Sequence, residues 1–288
     1  MPRINMILKC RIAVIGALLI ALSGCSASFT YNNIGWLSAF WIDDYVDLTK
    51  QQSKQAKALI KQSRDWHRKT QLPLYRQDLL SLQKLLINNP SEQALLSHFQ
   101  GAKVHWQSLV LYVKDDLVAL AMSLSAQQRQ EFVDAIAKDM ADDVEQFNEQ
   151  TELERKQERL ERQLDTYKDW LGPLDDQQIA LISQANSEFQ STFLLWQAYK
   201  QARLDKLKQV FFDPQLSREQ FISQLSMVIT EREAFMSDEL IRLDANNAKH
   251  YVQLLINLRA TITAKQLKHA NAEFADMLKD IEQLIAND

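Results

Sequence analysis

Glycine and proline are scarce: the 288 residues hold 5 of each. Sheets, barrels and nucleotide-binding α/β folds need many tight turns, and tight turns draw on these two residues. Gly16, Gly24 and Pro2 fall in the first 25 residues, so the remainder has only Gly35, Gly101, Gly172, Pro73, Pro90, Pro173 and Pro214. Few connections leave long elements, and long elements are helices. Cysteine is scarcer still, with Cys10 and Cys25 alone, so a disulfide framework is not expected. Basic residues are in deficit, 33 Lys and Arg against 37 Asp and Glu. That argues against nucleic acid as a partner, because such binding draws its affinity from basic patches. No GxSxG, P-loop, GxGxxG or HExxH occurs, nor an ExxH pair of the di-iron bundle type. The sequence therefore predicts neither an enzyme nor a bound cofactor or metal.

What is present begins with a targeting pattern. Arg3, Lys9 and Arg11 precede Ile12–Leu22, an uninterrupted apolar run of eleven residues. A bilayer span needs about 20. Leu22-Ser23-Gly24-Cys25 follows, and this tetrapeptide resembles the lipobox of bacterial lipoproteins. The resemblance implies cleavage between Gly24 and Cys25 and lipid attachment to the Cys25 thiol. It further implies, from Ser26 in place of Asp, passage to the outer membrane, with the protein facing the periplasm. Loss of residues 1–24 takes away three basic residues and moves the net charge from −4 to −7. Several acyl chains would anchor the mature chain stably.

Residues 25–32 then read as a lipidated Cys with a short tether. Trp36, Leu37, Phe40, Trp41, Tyr45 and Leu48 recur at helical spacing and form an apolar stripe. The carboxylates of Asp43, Asp44 and Asp47 sit where an interfacial helix would carry cations. The stripe is therefore read as packing onto the protein rather than lying in the bilayer interface.

A five-residue box repeats along the chain: Leu48-Thr49-x-x-Gln52, Leu124-Ser125-x-x-Gln128, Leu174-Asp175-x-x-Gln178, Leu216-Ser217-x-x-Gln220 and Ile262-Thr263-x-x-Gln266. Each has the form of a capping box, in which the side-chain oxygen accepts from the N3 amide and the Gln returns to the cap amide. Asn89-Pro90-Ser91-Glu92 is a variant with Pro at the first helical position. These starts predict helices near 49–71, 74–88, 90–122, 125–170, 175–211, 217–258 and 263–286. Thr49 could instead lie inside a helix continuous from Asn33. The expected fold is all-α, an elongated bundle of long helices. Matching box, Trp and Pro spacings suggest an internal duplication, with halves at 33–150 and 174–288 joined by a charged helix at 151–173. In that helix Leu153, Leu160, Leu164 and Tyr167 form a thin packing seam, and the charges read as a solvated face.

The histidines (His67, His98, His105, His250, His269) show no metal-ligand spacing beyond the lone His269/Glu273 pair. Trp66-His67-Arg68-Lys69 reads as a solvated helix end whose cations complement the dipole. Residues 31–52 (YNNIGWLSAFWIDDYVDLTKQQ) and 66–79 (WHRKTQLPLYRQDL) resemble a family of Gram-negative lipoproteins known only as a domain of unknown function, which implies no activity. The repeated boxes are similar to the Leu-Thr-x-x-Gln motifs of Spy/CpxP-type periplasmic chaperones, which implies a holdase. The leading expectation is a non-catalytic interaction or scaffold protein of the envelope. Its partner would be another envelope protein or a second copy of the chain; the holdase is the alternative.

Overall fold

The computed structural model describes residues 25–286. The leader, with Gly24 at the expected cleavage point, lies outside them, as do the side chains of Cys25 and Phe40. Among the described residues there are twelve α-helices, a 3-10 turn at Arg232–Phe235, and no strand. In chain order they are α1 (Cys25–Asn32), α2 (Ile34–Asp43), α3 (Lys50–Thr70), α4 (Leu72–Ile87), α5 (Glu92–Ser123) and α6 (Ala126–Asn148). There follow α7 (Glu152–Leu171), α8 (Asp176–Glu188), α9 (Phe193–Phe212), α10 (Arg218–Thr230), α11 (Asp238–Thr261) and α12 (Ala264–Ala286). The protein is an all-α helical bundle.

Helix starts follow the boxes. Thr49, Ser125, Asp175 and Ser217 each accept from the backbone amide of the Gln three residues on, and each Gln returns to the cap amide. Thr49 is thus a cap and not the interior of a helix from Asn33; α2 stops at Asp43 and residues 45–48 are non-helical. Three of the expected helices are each two. The 125–170 helix breaks where Thr151 and Glu154 make a capping box in which Glu replaces Gln. The 175–211 helix breaks at 189–192, and the 217–258 helix breaks at the 3-10 turn, after which Ser237 caps α11.

Helix ends explain how the chain manages with little glycine. The last carbonyls of a helix lack intrahelical partners, and glycine in a left-handed conformation is the common remedy. Among the described residues Gly172, at φ 74° after α7, and Asn89, at φ 54° after α4, are the positive-φ residues at helix ends. At six helix ends arginines of other segments supply donors. Arg64 donates to Asn32 O at the end of α1, and Arg259 to Leu86 O and Ile87 O at the end of α4. Arg155 serves Phe147 of α6, Arg159 Asn186 of α8, Arg129 Phe211 of α9 and Arg203 Val228 of α10. A cation there also complements the helix dipole. Arg155 and Arg159 had read as part of a solvated face; they are instead tied to carbonyls of other helices. Leu160, Leu164 and Tyr167 do form the expected seam, packing with Leu174 around Ile182, Leu254 and Leu258, but Leu153 is 73% exposed.

The larger core cluster joins α5 and α6 to α9 and α10 through Val118, Val133, Leu207, Val210, Phe221 and Leu225. Helix α12 lies along α4, where Gln83 Nε2 donates to Asn271 Oδ1 at 2.9 Å and Arg76 pairs with Glu282 at 2.7 Å. The larger cluster thus draws residues from both halves of the sequence.

Candidate functional site

The box glutamines do more than cap. Once a Gln carbonyl has accepted the cap N–H, its amide group still carries two N–H donors. Gln52 Nε2 donates to Gln128 Oε1 (3.1 Å) and Gln128 Nε2 donates to Gln52 Oε1 (2.8 Å). Their second N–H groups reach Ser123 O (2.8 Å) and Asp47 O (2.7 Å), each two residues before the partner's cap. The pattern recurs in the second half. Gln178 and Gln266 exchange bonds of 3.0 and 2.9 Å, and their other N–H groups face Thr261 and Pro173, again two residues before the caps. Each half thus holds one knot with local two-fold symmetry, closing two helix starts and two preceding segments at once. The Ser217–Gln220 box has no such mate and is a cap alone.

A second polar cluster receives the tether. Tyr31 Oη lies 3.0 Å from His67 Nδ1 and donates to Arg64 O at 3.2 Å. His67 Nε2 is 3.2 Å from Tyr75 Oη, and the Tyr75 ring stands edge-on to His105 with centroids 4.7 Å apart. His105 reaches Asp78 at 2.6 Å and Gln71 at 3.2 Å. Arg68 bonds Asn32 Oδ1 and lies over the Tyr31 ring. Burial, then repulsion from His105, holds His67 below the ordinary histidine value, and burial raises the Tyr31 and Tyr75 phenols. The expectation of a solvated helix end at 66–69 is thereby corrected: Arg68 is only 6% exposed and His67 is half-buried, because α1 folds back over them. The cluster presents no Ser or Cys nucleophile against its histidines. What it does is fix α1, and so the tether, to α3 and α4.

The aromatic stripe divides. Tyr45 and Leu48 turn inward, but Trp36 is 60% and Trp41 54% exposed, and Phe29 on α1 is 61% exposed. The expected packing of this stripe into the core does not hold for its tryptophans, because α2 ends before residues 45–48 turn across the bundle.

Those inward residues form one wall of a groove of about 1170 Å³. Leu48 and Leu124, the leucines of the first two boxes, lie at its floor with Leu120, Phe132, Ile136 and Met140. Helix α9 and helix α10 close the other side through Leu204, Leu207, Phe211, Leu225 and Val228. Along α6 the lining changes from apolar to acidic, ending in Asp139, Asp142, Asp143, Glu145 and Glu149. Tyr45 donates to Asp139, and that bond, with burial, pushes the phenol up to about 12. Lys200 pairs with Asp143 at 2.8 Å. Among the described residues Asp142, Glu145 and Glu149 form no ion pair. The run of carboxylates from Asp139 to Glu149 was the sequence signal that could have marked the groove.

Among the described residues no group of three His, Cys, Asp or Glu is placed to hold a metal. His98 and His105 do not converge: His98 lies edge-on to Phe99. His269 Nε2 lies 2.9 Å from Asp169 O and 3.7 Å from Glu273. Asp43, Asp44 and Asp47 are exposed. Residues 44–241 match a family described as a family of unknown function, DUF6279. The chain belongs to that family. The match takes in both box glutamines of the first knot, the His67–Asp78 cluster and the groove from Tyr45 to Ile229, whereas α1, α2 and α12 lie beyond it. No curated protein and no solved structure matches the chain.

Proposed function

We propose that this family member is a lipid-anchored, periplasm-facing interaction protein of the cell envelope, without catalytic activity, attached through Cys25 and carried to the outer membrane. The groove carries the reading: a long apolar trough, walled by four helices and open to solvent, is where a partner would bury apolar surface. Support for the anchor comes from the leader pattern ending at Cys25. No described helix is long and apolar enough to cross a membrane, so attachment would rest on the lipid. The tether is short and clamped at Tyr31 and Asn32, which would hold Phe29, Trp36 and Trp41 near the bilayer interface, where aromatic rings are favoured.

Two measurements test this. Clickable fatty acid should label the wild type and not Cys25→Ser; equal labelling of both defeats the anchor. A photo-crosslinking amino acid at Ile136, in the groove, should trap one defined envelope protein in intact cells, or a second copy of the chain, while the same group at exposed Leu153 should not. Failure at Ile136 defeats the interaction reading. The alternative, a holdase, drew on the repeated boxes. Four of those boxes have a structural task as paired knots, so the holdase now leans on the groove alone. Suppression of aggregation of an unfolding client, with no defined crosslink, would favour it.

A further inference from the structure

The groove has a length and a charge gradient that select among ligands. Its α6 wall runs from Phe132 to Glu149, about 25 Å at the helical rise. That is the length of a helix of roughly seventeen residues. One end is apolar, around Phe132 and Leu124; the other carries five carboxylates against Lys200 and Arg203. Both cations are engaged within the chain, Lys200 with Asp143 and Arg203 with Val228 O. Asp142, Glu145 and Glu149 are left to face solvent at the rim. The C-terminal carbonyl of Phe147 on α6 is met by Arg155, so the negative charge of the rim rests on the carboxylates.

From this we infer that the groove binds a basic amphipathic helix of another protein, its apolar stripe on the floor and its Lys and Arg against the Asp142–Glu149 rim. The inference rests on the interaction reading above. Three classes of ligand compete for an apolar trough. An extended peptide is usually held by adding to a sheet edge, and no strand exists among the described residues. An anionic lipid would bring its phosphate against carboxylates, an arrangement that like charges disfavour. A helix satisfies its own backbone hydrogen bonds and asks the groove only for apolar contact and charge, which is what the groove supplies.

The test uses the chain from residue 25 onward with Cys25→Ser, so that no acyl group competes, and a fluorescent eighteen-residue peptide of Leu and Lys at amphipathic helical spacing. Binding should saturate at one peptide per chain, weaken as salt is raised, and fall about tenfold or more in Asp142→Lys/Glu145→Lys/Glu149→Lys, since rim charges act through steering and complementarity. The three positions are exposed, so the variant should keep its circular dichroism. Ala121→Phe, which fills the floor, should reduce binding without touching charge. Equal binding of a Leu/Glu peptide, or unchanged binding by the charge-reversed variant, overturns the inference. So does a fluorescent fatty acid that binds more tightly and displaces the peptide, which would make the groove a lipid site. A groove crosslink in cells combined with no peptide binding would leave the interaction reading standing and remove only the basic helix.

Discussion

Replacing Gln128 by Ala should damage the protein far more than replacing Gln220, although both occupy the same place in the same local motif. Gln128 Oε1 accepts from Ser125 N (2.9 Å), and its amide donates to Gln52 Oε1 and to Asp47 O. It also accepts from Gln52 Nε2. Truncation strands the Ser125 N–H, the Asp47 carbonyl and one N–H of Gln52, whose side chain is buried. With about 1 kcal/mol per lost bond, and more for each buried group left unsatisfied, the cost is about 4 kcal/mol. Gln220 supports only the exposed Ser217 N–H, and its loss should cost about 0.5–1 kcal/mol. In a chain of this size that separates a fall in Tm of roughly 7 °C from one of about 1–2 °C. Urea denaturation followed by circular dichroism reads both. The double variant Gln52→Ala/Gln128→Ala should be less damaging than the sum of the singles by about 1–2 kcal/mol, because each single leaves the other glutamine unmatched. Equal costs for Gln128→Ala and Gln220→Ala, or additivity of the pair, would refute the knot. The amide orientations follow from the same logic: Oε1 must face the cap N–H, which can only donate, so Nε2 must face the carbonyls.

The contrast between those two glutamines also shows what a sequence can and cannot reveal about this fold. A capping box is written within four residues, so Thr49, Ser125, Asp175 and Ser217 were legible as helix starts. The mate of each knot lies far along the chain, 76 residues away for Gln52 and 88 for Gln178. Nothing local distinguishes a paired Gln from the unpaired Gln220. The arginine caps were hidden for the same reason. Arg155 and Arg159 sit in a run of charge with the composition of a solvated face, and only the approach of α6 and α8 gives them carbonyls to bind. The break at Thr151 was missed because its box ends in Glu rather than Gln; the break at 189–192 has no side-chain cap to announce it. The groove needs four helices to assemble, with lining residues from Tyr45 to Ile229, and no local pattern announces that they converge. The burial of Arg68 depends on α1 folding back, which composition cannot convey.

Three further outcomes follow from particular contacts. Arg259→Met should lower stability by about 2 kcal/mol in urea denaturation, because the carbonyls of Leu86 and Ile87 at the end of α4 lose charge-assisted donors at 2.7 and 2.8 Å; no change would mean that water replaces the guanidinium. Gly172→Ala should cost about 1–3 kcal/mol although a Cβ would meet only His269 at 4.0 Å, since φ 74° with ψ −155° is a backbone region that side-chain-bearing residues avoid; a neutral substitution would show that the end of α7 can relax. The tether cluster should make stability depend on pH. Neutral His67 with its proton on Nδ1 donates to Tyr31, Tyr31 donates to Arg64 O, and Tyr75 donates to Nε2. Protonating Nε2 disrupts that arrangement, and burial, with repulsion from His105, holds the folded-state value of His67 down. Unfolded, the ring takes its proton near the ordinary value of about 6.5. Below that pH the unfolded chain therefore binds a proton that the folded chain does not, and stability falls as pH drops, until His67 itself protonates in the folded state. The carboxylates add their own losses at lower pH, so the diagnostic is a difference: His67→Gln should flatten the slope of Tm against pH between about 6.5 and 5.5 while leaving the slope at more acid pH unchanged. An equal slope in both proteins through that window would show that the ring is protonated without penalty, and that α1 is held by Arg64 and Arg68 rather than by the histidine.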